Sequence, residues 1–469
     1  MSRGQRFSNR SWQEGQHRRA RDANQPATDR RDFLATGGKM TLGVSLAAGV
    51  LPAVHAGEEN TIRLALIGCG GRGSGAVRDA FSVATRPIEL YAMADIFSDR
   101  LQASHANLSK LFPKQVNCPP ERQFVGFDSY KHAIDCLRPG DIAMLTGYAA
   151  FRPMQLEYAV AKGVNAFLEK SFATDPPGIR RLLAAAKIAS EKNLKVAAGL
   201  QCRHSVNRHE LIRRIREGEL GDILMVRAYR MEYVGAMGPK PPQEKELFWQ
   251  IRNFFRFYWV SGGLFAEMDI HQIDEICWLF DQWPIDAHGV GGRSVGNTDP
   301  SQNLDSYCVE WTFPSGGKGF DVVRYLPNCH TEFATFVHGT KRAAQFSGRI
   351  HAGTVRIYKD QRIDKDNILW EAPEEKLTPW QAEWADLLEA IEKDLPYNEM
   401  ERAAYANLAT IMGRAAVHMG RIITWQEALQ SNFQWCASID QMNEDTPPPV
   451  LPSETGQYPV PEPGKWVEI

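Results

Sequence analysis

The chain has 469 residues, with 54 Lys and Arg against 56 Asp and Glu, a formal net charge of -2 and 43% hydrophobic residues. Near-neutral charge leaves no electrostatic footprint for nucleic acid, and the length suffices for two domains with real cores once a basic leader is set aside. The eight cysteines include no C-x-x-C pair and no His/Cys cluster, which argues against structural zinc.

The chain opens on an Arg-rich stretch, Met1 to Asp29, that reads as a disordered leader. Arg30, Arg31, Asp32, Phe33 and Leu34 then form a twin-arginine signature, Met40 to Val54 is a weakly apolar run rich in Gly and Ala, and Val54-His55-Ala56 offers a signal peptidase site. The run is too short and too rich in small residues for a stable bilayer span, so a signal is preferred to an anchor. Residues 1–56 are thus predicted to be an export signal. The expected partner is the twin-arginine machinery, and the expected location is the periplasm or another exported site. That route moves folded proteins, so a cofactor acquired before export would have to be held tightly.

The next segment, Thr61 to Asp95, carries the most information. The apolar run Ile62 to Ile67 predicts a strand that enters Gly68-Cys69-Gly70-Gly71-Arg72-Gly73, a G-x-G-x-x-G turn, ahead of a helical stretch from Ser74 to Phe81. Gly68 allows a tight turn, Gly70 lets the backbone approach a pyrophosphate, and Gly73 lets helix and strand pack closely. A second strand, Ile88 to Ala94, stops at Asp95, where a carboxylate can accept hydrogen bonds from an adenosine ribose. The cofactor expected is NAD; NADP stays possible because Arg72 or Arg100 could meet a 2′-phosphate. Gly71 completes the predicted cofactor-binding turn.

Alternating segments continue as a doubly wound parallel sheet requires. Asp141 to Leu145 predicts a strand, Arg152 to Lys162 a helix, Val164 to Leu168 a strand ending at Glu169-Lys170-Ser171, Gly178 to Lys192 a helix, and Leu194 to Gly199 a strand. Ligands bind outside the carboxyl ends of such strands, so Thr146, Glu169, Lys170 and Gln201 should face the cofactor crevice. A lysine at a strand end reads equally as a solvated charge.

Past Gly221 the pattern shifts to longer strands, Ile223 to Tyr233, Tyr307 to Phe313, Gly319 to Tyr325 and Glu332 to His338, which predict a large, mostly antiparallel open sheet in an α+β domain. One helix, Glu267 to Phe280, interrupts them. Ile270, Ile273, Cys277 and Phe280 form its apolar stripe, while Glu267, His271 and Asp274 share a neighbouring face. A carboxylate one turn from a histidine can orient the ring for acid/base work, or simply satisfy a buried ring. Cys69, Cys277 and Cys308 read as small buried hydrophobes, with no disulfide framework. Trp380 to Lys393 and Glu401 to Arg421 are packing helices, with Trp380, Trp384 and Trp425 as core or subunit-interface residues. The Pro-rich tail from Asp445 is read as an irregular surface arm, able to cover a neighbouring subunit. The domains are placed at 60–205, 206–435 and 436–469, and the open sheet face predicts a homo-oligomer, dimer or tetramer.

These motifs together resemble the glucose-fructose oxidoreductase and inositol dehydrogenase family, Gfo/Idh/MocA, and its exported bacterial branch. The resemblance runs from the glycine turn through Phe151-Arg152-Pro153, Glu169-Lys170, Gly199-Leu200-Gln201, Ser261-Gly262, Glu267 to Asp274 and Tyr397-Asn398-Glu399. It implies that Lys170 and His271 flank a reacting hydroxyl, with Glu267 where many members have aspartate, and that either Lys170 or His271 is the base. Asp274, Gln201 and Arg203 are the substrate-side candidates, Asp274 alternatively closing its helix face. Two departures stand out. Ser171 replaces the usual proline after the lysine, removing a backbone constraint on its aim, and Thr146-Gly147-Tyr148 lacks a common proline, which implies a looser wall beside the nicotinamide.

The function implied is an NAD(P)-dependent oxidoreductase converting a sugar, polyol or glycoside hydroxyl to a ketone with retained cofactor. Transient oxidation in a redox-neutral glycosidase or lyase is the second reading. A non-catalytic cofactor-binding protein is the third. Substrate choice is assigned to irregular loops such as Val234 to Phe248.

Overall fold

The computed structural model describes residues 61–348 and 354–469. The signal and export expectations fall outside the described residues. From Thr61 the chain alternates β1 (Ile62–Ile67), α1 (Gly71–Val83), β2 (Ile88–Asp95), α2 (Ser98–Leu111), β3 (Gln123–Val125), α3 (Ser129–Asp135), β4 (Ile142–Leu145), α4 (Arg152–Lys162), β5 (Asn165–Leu168), α5 (Pro176–Glu191) and β6 (Val196–Ala198). The six strands are parallel, in the order β3-β2-β1-β4-β5-β6. That order reverses between β1 and β4, which is where an open α/β sheet forms its ligand crevice.

Alternation along β1 shows how the sequence builds two layers. Leu64 and Leu66 pack to one side with Val77, Leu101 and Trp384, whereas Ala65 and Ile67 pack to the other with Tyr130, Leu156 and Ile179. Both faces are covered, so the strands read as continuous apolar runs.

The second half comprises α6 (Val206–Arg216), β7 (Ile223–Met231), α7 (Glu246–Arg252), α8 (Tyr258–Ser261), α9 (Gly263–Phe280), β8 (Asp286–Gly292), β9 (Ser306–Thr312), β10 (Lys318–Arg324), β11 (Glu332–Gly339), β12 (Ala343–Ser347), β13 (Arg356–Tyr358), β14 (Ile368–Glu371), α10 (Pro379–Glu392), α11 (Met400–Met419), β15 (Ile423–Thr424) and α12 (Trp425–Gln430). Nine strands form one sheet, β14-β13-β12-β11-β7-β10-β9-β8-β15, in which β7 and β10 run parallel and the other neighbours antiparallel. This is the open, mostly antiparallel sheet expected. Ile270, Ile273, Ile276 and Phe280 of α9 bury against its inner face with Val309, Trp311, Phe313 and Val323.

Three expectations need correction. Cys308 is exposed, because Tyr307, Val309 and Trp311 point inward along β9 and the residue between must point out. Helix α10 packs on the first sheet, across the boundary expected at 205/206: Trp384 is fully buried and stacks on Phe167 of β5 at 4.5 Å. The tail is not merely a surface arm, since Glu468 is fully buried against α11, where Arg414 Nε and His418 Nδ1 each donate to it at 2.8 Å. A buried Arg414 demands a carboxylate, and the tail supplies it.

Candidate active site

The glycine turn after β1 is built by close packing. Gly68 has φ +96°, and a Cβ there would lie 2.4 Å from Gly147 N; one on Gly73 would lie 2.3 Å from Gly68 O. Gly70 and Gly71 differ, because a Cβ on either would meet nothing within 4 Å. Both line a cleft of about 660 Å³ together with Asp95, Arg100, Thr146, Tyr148 and Phe254. Helix α1 starts here with no side-chain cap and no acid in its first turn, so its amide N–H groups and positive dipole end face the cleft. The open space above Gly70 and Gly71, with uncapped amides beneath, fits the pyrophosphate of a dinucleotide.

Asp95 lies at the carboxyl end of β2, 6% exposed, and accepts from Cys69 N at 2.6 Å and Phe97 N at 2.8 Å. Burial raises its pKa, against those two bonds. It therefore braces the turn as well as facing the cleft. Thr146 Oγ1 donates to Gly68 O at 2.7 Å, and Tyr148 packs on Phe254 with ring centroids 5.2 Å apart, so this wall is packed, not loose.

Arg72 lines the cleft, whereas Glu169, which pairs with it, does not. Arg72 Nε donates to Glu169 Oε1 at 2.5 Å, while its two terminal nitrogens reach Asp79 at 3.1 Å and Glu383 at 3.0 Å. Glu169 and Glu383 are buried carboxylates that need a cation, and Arg72 supplies it while still lining the cleft. The arginines that line the cleft are Arg72, Arg78 and Arg100. Arg78 was missed, although it lies one helical turn after Ser74, another lining residue.

The strand-end lysine reaches across to the second half of the molecule. Lys170 Nζ donates to the Glu267 carbonyl at 2.7 Å and to Glu267 Oε2 at 3.2 Å, tying the end of β5 to the first turns of α9. The Lys170–Ser171 peptide is cis. Ser171, fully buried, donates through Oγ to Ala266 O at 2.6 Å, and its carbonyl accepts from Arg152. The missing proline is therefore matched by side-chain tethers.

Glu267 holds Lys170. His271 lies one turn further along α9, 4% exposed and on the same side. Asp274 and Arg203 form a bidentate pair, both bonds 2.8 Å, joining α9 to the turn after β6. With its carboxylate 1% exposed and so engaged, Asp274 closes the helix face and is not a free sugar ligand, nor is Arg203. Gln201, on the same turn, is buried and does not line the cleft.

Residues 209–345 match the GFO/IDH/MocA C-terminal domain. Solved structures extend the likeness to both halves. They include aldose-aldose oxidoreductase from Caulobacter crescentus (17% identity, TM-score 0.59, 78% of this chain and 99% of that one) and myo-inositol 2-dehydrogenase from Lactobacillus plantarum (17%, 0.59, 78% and 99%). A third is scyllo-inositol dehydrogenase from Lactobacillus casei with bound NAD(H) and scyllo-inositol (18%, 0.57, 78% and 99%). At these identities the likeness is one of fold. A search of curated proteins finds no match.

A second cavity, of about 420 Å³, lies beside the first turn of α9. It is lined by Leu264 of that helix, Val234 of the expected specificity loop, Asn297, Asn303, Asp305 and Tyr325. Tyr325 donates to Asp269 of α9, which with Asp321 of β10 forms a buried carboxylate pair. Burial raises both pKa values, against the nearby Arg230. Sequence reasoning missed this group because its members lie on separate elements that only the folded sheet brings together. Among the described residues no cluster of three or more His, Cys, Asp or Glu could hold a metal, and no helix is long and apolar enough to cross a membrane.

Proposed function

We propose that the protein is an NAD-dependent oxidoreductase that converts a hydroxyl of a sugar or polyol to a ketone. The observation that carries this is the Lys170–Glu267 bond, which brings a lysine at the carboxyl end of a dinucleotide-fold strand onto the helix that bears His271. A bound nicotinamide would accept the hydride. Lys170 spends two hydrogen bonds on Glu267 and has a third donor to give a developing alkoxide. His271 is assigned to take the hydroxyl proton. The cavity beside α9 offers amide and carboxylate groups suited to a hydroxyl-rich ligand.

The relatives in fold that act on inositols and aldoses support the substrate class, and the one with bound NAD(H) supports the cofactor. Export by the twin-arginine route belongs to the same proposal, on the strength of Arg30 to Leu34. So does self-association through the outer face of the large sheet, where Leu224 and Val290 are exposed. The test is to purify the protein without added cofactor, denature it, identify released nucleotide, and then screen sugars and polyols by nicotinamide absorbance. Bound or titratable NAD with a polyol-dependent signal that Lys170→Ala abolishes is expected. Turnover indifferent to both Lys170→Ala and His271→Ala would overturn the assignment.

A further inference from the structure

The dinucleotide cleft is built almost wholly from the first sheet, with one exception. Phe254, from the turn after α7, lines it together with the glycine turn. Its ring stacks on Phe255 at 4.1 Å and meets Tyr148 edge-on at 5.2 Å. Two residues earlier Arg252 grips the start of α2, its terminal nitrogens each 3.0 Å from an oxygen of Asp99. The same guanidinium lies 3.9 Å from the Phe97 ring centroid, and its Nε donates to Glu244 at 2.8 Å. Arg100, a cleft residue, donates to the Arg252 carbonyl and to the Tyr148 hydroxyl. Phe248 of α7 adds an edge contact to Phe97 at 5.8 Å and a tilted one to Phe127 at 6.0 Å.

These contacts cross from the second half of the chain to the mouth of the nucleotide site. Asp99, Arg100 and Phe97 follow directly on Asp95, so the latch sits beside the residue that faces the ribose. We propose that residues 244–255 form a retaining wall over the bound dinucleotide, with Phe254 as its face and the Arg252–Asp99 pair as its latch, so that release requires the latch to part. This rests on the reading of the cleft as a dinucleotide site. The two components differ in character. Asp99 is 65% exposed, so the pair is screened by salt and weak on its own. The aromatic contact is insensitive to salt and supplies most of the holding.

The test uses the full-length protein loaded with radiolabelled NAD and chased with excess unlabelled NAD, the bound label being followed by filter binding. Phe254→Ala should speed release about tenfold, and Arg252→Ala or Asp99→Asn about two- to fivefold. Raising salt should speed release from the wild type and not from Arg252→Ala. The exchange Asp99→Arg with Arg252→Asp should restore slow release relative to either single change. Equal release rates for wild type and all variants would overturn the wall while leaving the cofactor assignment standing. A wild type that binds neither NAD nor NADP would overturn both. Phe254 is only half-buried, and the two latch variants test the wall independently should Phe254→Ala unfold.

Discussion

The four glycines of the turn do different work, and substitution separates them. A methyl on Gly73 collides with backbone, so Gly73→Ala should cost about 1–3 kcal/mol in unfolding free energy. Gly70→Ala meets no protein atom, so unfolding should shift by no more than about 0.5 kcal/mol. Its methyl would instead occupy phosphate space, and NAD affinity should fall at least about tenfold. Denaturant titration and isothermal calorimetry on the same pair of variants check both halves; equal damage to stability would mean the space above Gly70 is not reserved for ligand. Lys170→Ala should lower kcat about 10²- to 10⁴-fold with NAD affinity little changed, whereas loss of NAD binding along with turnover would make Lys170 a structural residue. The glycines and Lys170 were legible in the sequence because local order is enough to place them. The ion pairs of Arg72 with Glu169 and Glu383, and of Glu267 with Lys170, were not legible because the partners become neighbours only after folding.

Between elements, five strands of the first sheet were legible because they are buried and read as unbroken apolar runs, whereas the short edge strand β3, with Val125 exposed, was not. Strand β8 was not, since Gly289, Gly291 and Gly292 give it no strand-like pattern. Folding explains two of them: a Cβ on Gly289 or Gly291 would come within 2.8 Å of the Val417 side chain on α11. The short strands β12 to β14 lacked enough residues for a period to show. A buried histidine joins elements that sequence kept apart. His204, after β6, lies 2.7 Å from Asp386 of α10 and 3.6 Å from Glu399. Burial alone would lower its pKa, but Glu399 and Asp386 outweigh that and raise it to about 10. Because the folded value exceeds the unfolded one, the stabilisation is full below about pH 6.5 and drains away as pH rises toward the folded value. Unfolding midpoints in urea should therefore fall between pH 7 and pH 10, and His204→Gln should flatten that slope while lowering stability at pH 7. An unchanged slope would mean the ring is neutral in the fold.

For the whole molecule, the tail matters more than its Pro-rich composition implied. Glu468 accepts from Arg414, whose other nitrogens donate to Gly262 O, at the start of α9, and to Thr174 O, just past the Lys170 loop. Burial pushes the His418 pKa down, which leaves Arg414 as the permanent charge partner of Glu468; His418 Nδ1 adds a hydrogen bond to that carboxylate, and its Nε2 lies 3.0 Å from the Tyr307 hydroxyl. Removing the carboxylate leaves a fully buried cation without its counter-charge. Glu468→Ala should then cost about 3–5 kcal/mol, with a drop in kcat larger than any change in NAD affinity. A variant as stable as the wild type in thermal unfolding would show that Arg414 finds another partner.

That same arrangement orders events in time. A polypeptide emerges from the ribosome amino end first, so the glycine turn and the first five strands of its sheet exist long before residue 468 does. The footing of the lysine loop and of α9 nevertheless waits for that residue. A nascent or prematurely terminated chain can thus possess a nucleotide fold and still lack a finished active centre.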